Sequence, residues 1–203
     1  CVSRPRRFGK SMAANMLVAY YCKNIDSKDM FSGFKIAEDE TFEKHLNKYN
    51  VIHINMIDFL TRAESIDDLI DYLQRRLLWD IRKEYSDVEC FDWNDLVDVL
   101  ETIYSEKKQS FVIIIDEWDC IFRKYPDNVE EQKKYLDFLR FFIKGKSYVA
   151  LAYMTGILPI KKYGEHSTLN MFDEYSMTNQ RELAEFTGFT EDEVKKLCIQ
   201  YDM

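Results

Sequence analysis

The sequence feature with the strongest consequence for the fold is a run of five apolar residues, Phe111-Val-Ile-Ile-Ile115, followed by the acids Asp116 and Glu117. The run is too short for a helix of ordinary length and has no polar position to face water. Such runs are typical of a parallel strand that helices cover on both faces. Because ligands of open α/β sheets bind at the carboxyl ends of the strands, we expect the two acids to face a binding crevice.

Segments that favour helices alternate with segments that favour strands along the rest of the chain. Residues 51–57 and 148–154 are apolar enough for two further strands, and 111–115 is expected to lie beside 148–154 or beside the first strand. Helices are predicted at 10–22 and 94–107. Three more are expected to begin at the capping boxes Ser65/Asp68, Asn128/Glu131 and Thr190/Glu193. In the last of these helices, Val194, Leu197 and Tyr201 are expected to face inward. The fold class predicted is α/β, with a mainly parallel sheet and helices on both faces.

Composition narrows the class of protein. With 46% hydrophobic residues and only six glycines and three prolines, one compact domain is expected. The net charge of −8 argues against a general nucleic-acid coat, although residues 1–25 carry five basic side chains and no acid. Five cysteines without C-x-x-C spacing favour a reducing, cytoplasmic setting, with neither a disulfide framework nor a zinc site. No apolar run approaches the roughly 20 residues that span a bilayer, so no membrane partner is expected.

The octet Arg4-Pro-Arg-Arg-Phe-Gly9-Lys10-Ser11 is close to the phosphate-binding loop G-x-x-x-x-G-K-[ST]. In such loops backbone N–H groups wrap the phosphates, the lysine reaches the β and γ oxygens, and the hydroxyl binds Mg²⁺. Arg4 replaces the first glycine, so the loop must turn with a side chain present. Gly-Lys-Ser alone occurs often by chance, but together with a strand that ends in two acids it favours nucleotide binding over a solvated helix start.

The two acids have separate expected roles. Asp116 is expected to hold the Mg²⁺ shell, and Glu117 to orient and deprotonate the attacking water. The alternative is that both are solvated charges that end a strand. Thr155, directly after the strand at 148–154, is either a polar sensor of the γ-phosphate or a plain strand-end threonine. Arg181 either contacts phosphate or is a solvated arginine at a helix end, and Trp118 is expected in the core.

Two motifs resemble the bacterial and archaeal AAA-ATPase-like family, whose phosphate loop reads R-P-R-R-F-G-K-S and whose acidic strand end reads D-E-x-D, as residues 116–119 do here. The stretches 167–173 and 188–194 extend the resemblance over nearly the entire chain. The missing first glycine is usual in that family. The resemblance implies a P-loop ATPase of the additional-strand type with ATP and Mg²⁺ as ligands. The implied nucleotide-binding residues are Arg4, Pro5, Arg6, Arg7, Phe8, Gly9, Lys10, Ser11 and Met12, the metal ligands are Ser11 and Asp116, and the catalytic residues are Lys10, Glu117 and Thr155.

The resemblance also suggests how the chain is organised. Residues 1–178 are expected to form the ATPase-like domain and 179–203 the start of a helical, lid-like extension. The strand that should precede the phosphate loop, normally at the sheet centre, is largely missing, because only three residues come before Arg4. Members commonly continue into a C-terminal domain similar to PD-(D/E)xK nucleases, and residues 1–203 are not expected to include that domain.

Three functional hypotheses follow. The first is a Mg²⁺-dependent ATPase in which hydrolysis drives a conformational step. The second is a regulatory switch that binds ATP, hydrolyses it slowly or not at all, and acts on a partner or an attached nuclease-like domain. The third, a nucleic-acid binder using Arg4, Arg6 and Arg7 alone, is disfavoured by the net charge. DNA and a second copy of the chain are further candidate partners.

Overall fold

A computed structural model describes residues 1–160, 169–176 and 190–202. Its strands form one all-parallel sheet in the order β1-β4-β3-β2, which confirms the predicted α/β class and is consistent with a P-loop NTPase-like fold. The strands are β1 (Val2–Ser3), β2 (Asn50–Asn55), β3 (Phe111–Asp116) and β4 (Val149–Gly156).

The helices that lie between strands in the chain connect one strand to the next, as parallel topology requires, and one further helix follows the last strand. None of those in the described ranges is long and apolar enough to cross a membrane. They are α1 (Lys10–Tyr21), α2 (Lys28–Phe31), α3 (Phe42–His45), α4 (Met56–Leu60), α5 (Ile66–Glu84), α6 (Leu96–Lys107), α7 (Cys120–Lys124), α8 (Val129–Ile143) and α9 (Glu191–Gln200), with a 3₁₀ turn at Lys35–Glu38.

The apolar run of β3 is buried on both faces of the sheet, as its composition predicts. Val112 and Ile114 pack with Ala14 of α1 on one face. Phe111, Ile113 and Ile115 belong to the larger core on the other face, which α5, α6, α7 and α8 cover. β3 pairs with β4 in parallel from Phe111–Val149 to Ile115–Met154, so the expected neighbour of this strand is confirmed.

The short first strand lies between two neighbours. Val2 pairs with Thr155 of β4 on one side and bridges Tyr175 in parallel on the other. The Ser3 N–H donates to the Tyr175 carbonyl at 3.0 Å, and the Tyr175 N–H donates to the Cys1 carbonyl at 2.9 Å. β1 is thus the end strand of the four-stranded sheet, with an isolated bridge to Tyr175 on its outer side, and the phosphate loop begins from its carboxyl end.

The caps predicted at helix starts are present in different degrees. The Thr190/Glu193 capping box is complete, whereas Asn128 only accepts a hydrogen bond from the Glu131 N–H at 3.2 Å. The Glu131 carboxylate instead accepts from the Ile66 N–H at 3.0 Å, which ties the start of α8 to the start of α5. Ser65 likewise accepts from the Asp68 N–H without the reciprocal bond.

The prediction that α9 has an inward apolar face is wrong. Val194, Leu197 and Tyr201 are 46%, 38% and 65% exposed, and α9 has no buried residue among those described. Helical spacing places these side chains on one side of the helix, but it does not determine whether another element covers that side.

Candidate functional site

The loop between β1 and α1 turns at two residues with left-handed backbone. Arg7 has φ 69° and Gly9 has φ 76°, and α1 starts directly after Gly9. Glycine adopts this conformation without steric cost, whereas an L side chain is disfavoured there. A Cβ at Gly9 would meet no atom within 4 Å. Glycine is therefore favoured at this position by the backbone angle, and not because a side chain would lack space.

Lys10 lies beneath this loop and holds it closed. Its ammonium donates to the carbonyl oxygens of Arg4 at 3.0 Å and Pro5 at 2.9 Å, and the residue is only 6% exposed. Burial lowers the pKa of Lys10, while the nearby carboxylates of Glu117 and Asp116 act in the opposite direction. A buried cation is therefore positioned between the phosphate-loop carbonyls and the acids that end β3.

Asp116 ends β3 with its carboxylate partly occupied. The Thr155 hydroxyl and the Glu117 N–H both donate to Asp116 Oδ1, the latter at 3.0 Å. Thr155 is fully buried and Asp116 is 5% exposed. Within the described residues no hydrogen bond is recorded at Asp116 Oδ2, so this oxygen is available to a ligand. Thr155 thus contacts the Asp116 carboxylate directly.

Glu117 leaves the strand with φ 56°, a conformation that is uncommon for a residue with a side chain. Its carboxylate forms an ion pair with Nη2 of Arg123 on α7. The same Nη2 lies 3.6 Å from Asp119 Oδ1. The side chains of Glu117 and Arg123 are about one-fifth and one-quarter exposed, so the pair is in contact with solvent.

Asp119 fixes the segment that follows β4. Its Oδ2 accepts hydrogen bonds from the backbone N–H groups of Ile157 at 3.1 Å and Leu158 at 2.9 Å, and the residue is fully buried. Trp118 is also fully buried, as predicted, and its carbonyl accepts from the Tyr135 hydroxyl at 2.8 Å. The residues after Glu117 are therefore anchored in the core.

A cleft of about 430 Å³ separates the phosphate loop from the acidic end of β3. It brings most of the predicted loop residues together with Glu117, whereas Asp116 and Thr155 are not among its lining residues. The lining consists of Arg6, Arg7, Gly9, Lys10, Ser11, Met12, Ile57, Glu117 and Arg123.

Three of the predicted loop residues do not line the cleft. The Arg4 guanidinium is buried and donates from Nη1 to the carbonyls of Tyr175 at 2.8 Å and Ser3 at 3.1 Å. Arg4 and Pro5 contribute to the loop through their carbonyls, which accept from Lys10. Phe8 is half-buried. The side chain of Arg4 thus fastens the Tyr175 segment against β1.

The sequence analysis did not identify two residues of the cleft. Arg123 and Ile57 both line it. The i, i+4 spacing of Asp119 and Arg123 was the available signal for the first, because oppositely charged residues at that spacing meet on a helix surface. Arg181, whose role was left open, lies outside the described residues.

A larger groove of about 540 Å³ follows β4 on the side of Cys1 and Met171. Its lining is mainly apolar, with only Lys146 and Asp173 charged. The smaller cleft combines an anion-binding helix start with cations and carboxylates. We therefore assign the candidate site to the smaller cleft.

The oxygen atoms near the cleft suit a hard cation. Ser11 presents an exposed hydroxyl at the first turn of α1, and Asp116 Oδ2 is available at the end of β3. Among the described residues no group of three or more His, Cys, Asp or Glu side chains is arranged to hold a metal. Mg²⁺ is usually bound by one or two protein oxygens together with phosphate and water oxygens, and this donor set fits that pattern.

Comparison with known families agrees with this geometry. A family model described as predicted AAA-ATPase, AAA-ATPase-like, matches residues 1–164. The matched part contains the phosphate loop, the acids after β3 and Thr155, whereas the stretches 167–173 and 188–194 fall beyond it. No curated protein matches the chain.

Proposed function

Because the chain belongs to the AAA-ATPase-like family, we propose that its cleft binds ATP with Mg²⁺ and hydrolyses the terminal phosphate to drive a conformational step. Membership supports nucleotide binding in general. The observation that carries the proposal is the buried ammonium of Lys10, held at the start of α1 opposite Glu117 and Asp116.

Phosphate binding follows from the composition of the loop and of the first turn of α1. That turn contains no acidic residue, and its first N–H groups have no intrahelical partner. Helix N-termini attract anions for this reason. Arg6 and Arg7 add two exposed cations at the same edge. Lys10 supplies the cation directed at the terminal phosphates. When ATP binds, its ammonium would leave the Arg4 and Pro5 carbonyls and donate to phosphate oxygens instead.

Ser11 and Asp116 would hold the cation, and Mg²⁺ supplies neutralisation of the phosphate charge when it is bound. Glu117 is the group placed to accept a proton from water. In the hydrolytic step the water oxygen bonds to the γ-phosphorus while its proton passes to the Glu117 carboxylate. The bond from the γ-phosphorus to the bridging oxygen breaks, and ADP leaves with that electron pair.

A second candidate function is an ATP-dependent switch with little hydrolysis. The ion pair between Glu117 and Arg123 favours it, because it engages Oε2 of the carboxylate that would accept the water proton. The output would then be a contact with a partner, with DNA, or with an attached nuclease-like domain of the kind the family resemblance implies.

The experiment that tests the proposal is phosphate release from Mg²⁺-ATP by the full-length protein, alone and with DNA. We expect turnover in the wild type and loss of most of it in Glu117→Gln, since the amide keeps the size of the side chain but cannot take the proton. Glu130→Gln removes the same charge from an exposed position of α8 and should not change the rate.

Equal rates in the wild type and in Glu117→Gln would show that Glu117 is not the base. ATP binding without turnover under any condition would favour the switch. If neither binding nor turnover occurs, the proposal is wrong.

A further inference from the structure

We propose that Arg123 is a positioning residue that holds Glu117 while the cleft lacks a triphosphate and transfers to the terminal phosphate when ATP enters. The inference rests on the proposed function, because it needs a nucleotide in the cleft. It makes Arg123 the part of this chain that distinguishes ATP from ADP.

Arg123 has access to both partners that this exchange requires. It projects from α7 into the cleft, where Lys10 and Ser11 also lie. Its Nη2 makes the ion pair with Glu117 Oε2. The guanidinium therefore contacts the proposed base and borders the cleft that a phosphate chain would enter.

The hydrogen bonding of Arg123 is incomplete in this arrangement. A guanidinium carries five N–H donors, yet Arg123 Nε is buried without a hydrogen-bond partner among the described residues. Asp119 Oδ1, 3.6 Å from Nη2, is also buried without a hydrogen bond there. Buried polar groups normally find partners. An additional anion would supply an acceptor for the unused Nε–H donor of Arg123.

The anchoring of Asp119 limits which atoms need to move. Asp119 is fixed by the N–H groups of Ile157 and Leu158, and its carbonyl accepts from the Arg123 N–H at 3.3 Å. The backbone of α7 can therefore stay in place while the Arg123 side chain rotates. Rotation toward a phosphate would release Glu117 Oε2 to accept a hydrogen bond from water.

Charge gives the direction of the exchange. The γ-phosphate adds negative charge that ADP lacks, and arginine binds phosphate oxygens through paired N–H donors. Its contact with Glu117 involves a single carboxylate that is also in contact with solvent. A triphosphate is therefore expected to compete for Arg123 more effectively than a diphosphate does.

Lys124 provides the matched control. It is the next cation on α7, but its ammonium donates to the Leu60 carbonyl at 3.3 Å and lies over the Tyr125 ring. Lys124 does not line the cleft. Lys124→Gln therefore removes one positive charge from the same helix without removing the contact with Glu117.

The test measures the affinities of the full-length protein for ATPγS and ADP with Mg²⁺ at fixed salt. We expect Arg123→Gln to bind ATPγS about threefold to tenfold more weakly, with ADP affinity within about twofold of the wild type. Arg123→Lys should recover part of the loss, because it restores the charge but not the paired donors. Lys124→Gln should match the wild type.

A second variant does not depend on the folding of Arg123→Gln. Glu117→Gln weakens the hold on Arg123, so it should bind ATPγS about threefold to tenfold more tightly than the wild type. This gain in ATPγS affinity should vanish when Arg123 is also replaced, so the double variant Glu117→Gln/Arg123→Gln should bind ATPγS no more tightly than Arg123→Gln does. A gain that persists there would mean that removal of the Glu117 charge alone produces it, and would overturn the role of Arg123.

The outcomes separate this inference from the proposed function. If the wild type binds ATPγS and Arg123→Gln keeps the same ratio of ATPγS to ADP affinity, the inference is wrong while the proposed function stands. If the wild type binds neither nucleotide, both are wrong.

Discussion

The Thr155 hydroxyl on β4 donates a hydrogen bond to Asp116 Oδ1 on β3, where the carboxyl ends of the two strands meet. The bond engages Oδ1, the same carboxylate oxygen that accepts from the Glu117 N–H. Thr155 is fully buried, and its hydroxyl is positioned to orient the Asp116 carboxylate. Whether it senses the γ-phosphate or is a plain strand-end threonine is therefore a question about this hydrogen bond.

Replacing Thr155 by valine keeps the shape of the side chain but removes the donor. We expect kcat for ATP to fall by about tenfold or more, because Asp116 loses its fixed orientation. Stability should fall by about 1–3 kcal/mol, since a buried carboxylate oxygen loses a partner. Steady-state kinetics and urea unfolding measure the two effects. Thr155→Ser should restore both, and a valine variant with wild-type kinetics would contradict this role.

Replacing Ser11 by alanine removes the hydroxyl at the first turn of α1 that is expected to contact the cation. We expect ATP to bind about tenfold more weakly in the presence of Mg²⁺, with little change when Mg²⁺ is chelated. Calorimetric titration with and without a chelator measures the difference. An equal loss of affinity in both conditions would mean that the Ser11 hydroxyl contacts phosphate and does not contact Mg²⁺.

Replacing Asp116 by asparagine separates the metal ligand from the neighbouring base. The change removes a charge from the expected Mg²⁺ shell, so the Mg²⁺ concentration needed for half-maximal turnover should rise as kcat falls. Glu117→Gln should lower kcat without raising that Mg²⁺ concentration. Turnover measured against Mg²⁺ concentration for each variant compares the two effects. Identical curves for the two variants would refute the separate assignments.

Gly156, at the end of β4, packs closely against the residues that follow Glu117. A Cβ there would lie 2.6 Å from Trp118 Nε1 and 2.8 Å from Asp119 Oδ1. We expect Gly156→Ala to reduce the free energy of unfolding by about 1–3 kcal/mol, because this space is already filled. Urea unfolding measures it, with Gly33→Ala as the control, since a Cβ at Gly33 meets no atom within 4 Å. Equal stability of both variants would contradict the packing argument.

Much of the fold follows from local sequence pattern. The strand at 111–115 was predictable because a short apolar run has few other ways to be buried, and the start of α1 because Gly-Lys-Ser after a turn marks a helix N-terminus. The exposure of the apolar side chains of α9 was not predictable, because burial depends on what packs against a helix. The position of β1 between β4 and Tyr175 likewise depends on contacts far apart in sequence.

The candidate site was predictable only in part. The loop motif and the two acids identify the residue types that phosphate chemistry needs. The inward turn of the Arg4 side chain results from the Tyr175 carbonyl, 171 residues away. The pairing of Glu117 with Arg123 results from the positive φ of Glu117 and the turn into α7. Neither contact leaves a pattern that a single sequence reveals.

The most direct test of the account is the affinity of Lys10→Ala for Mg²⁺-ATP, measured by calorimetry at fixed salt. The control is Lys28→Ala, which removes an exposed cation of α2. Thermal unfolding of both variants checks that the loop still folds, because Lys10 also holds the Arg4 and Pro5 carbonyls. We expect Lys10→Ala to bind at least about tenfold more weakly than the wild type and Lys28→Ala to match it. A folded Lys10→Ala variant with wild-type affinity would contradict the assignment of this cleft as the nucleotide site.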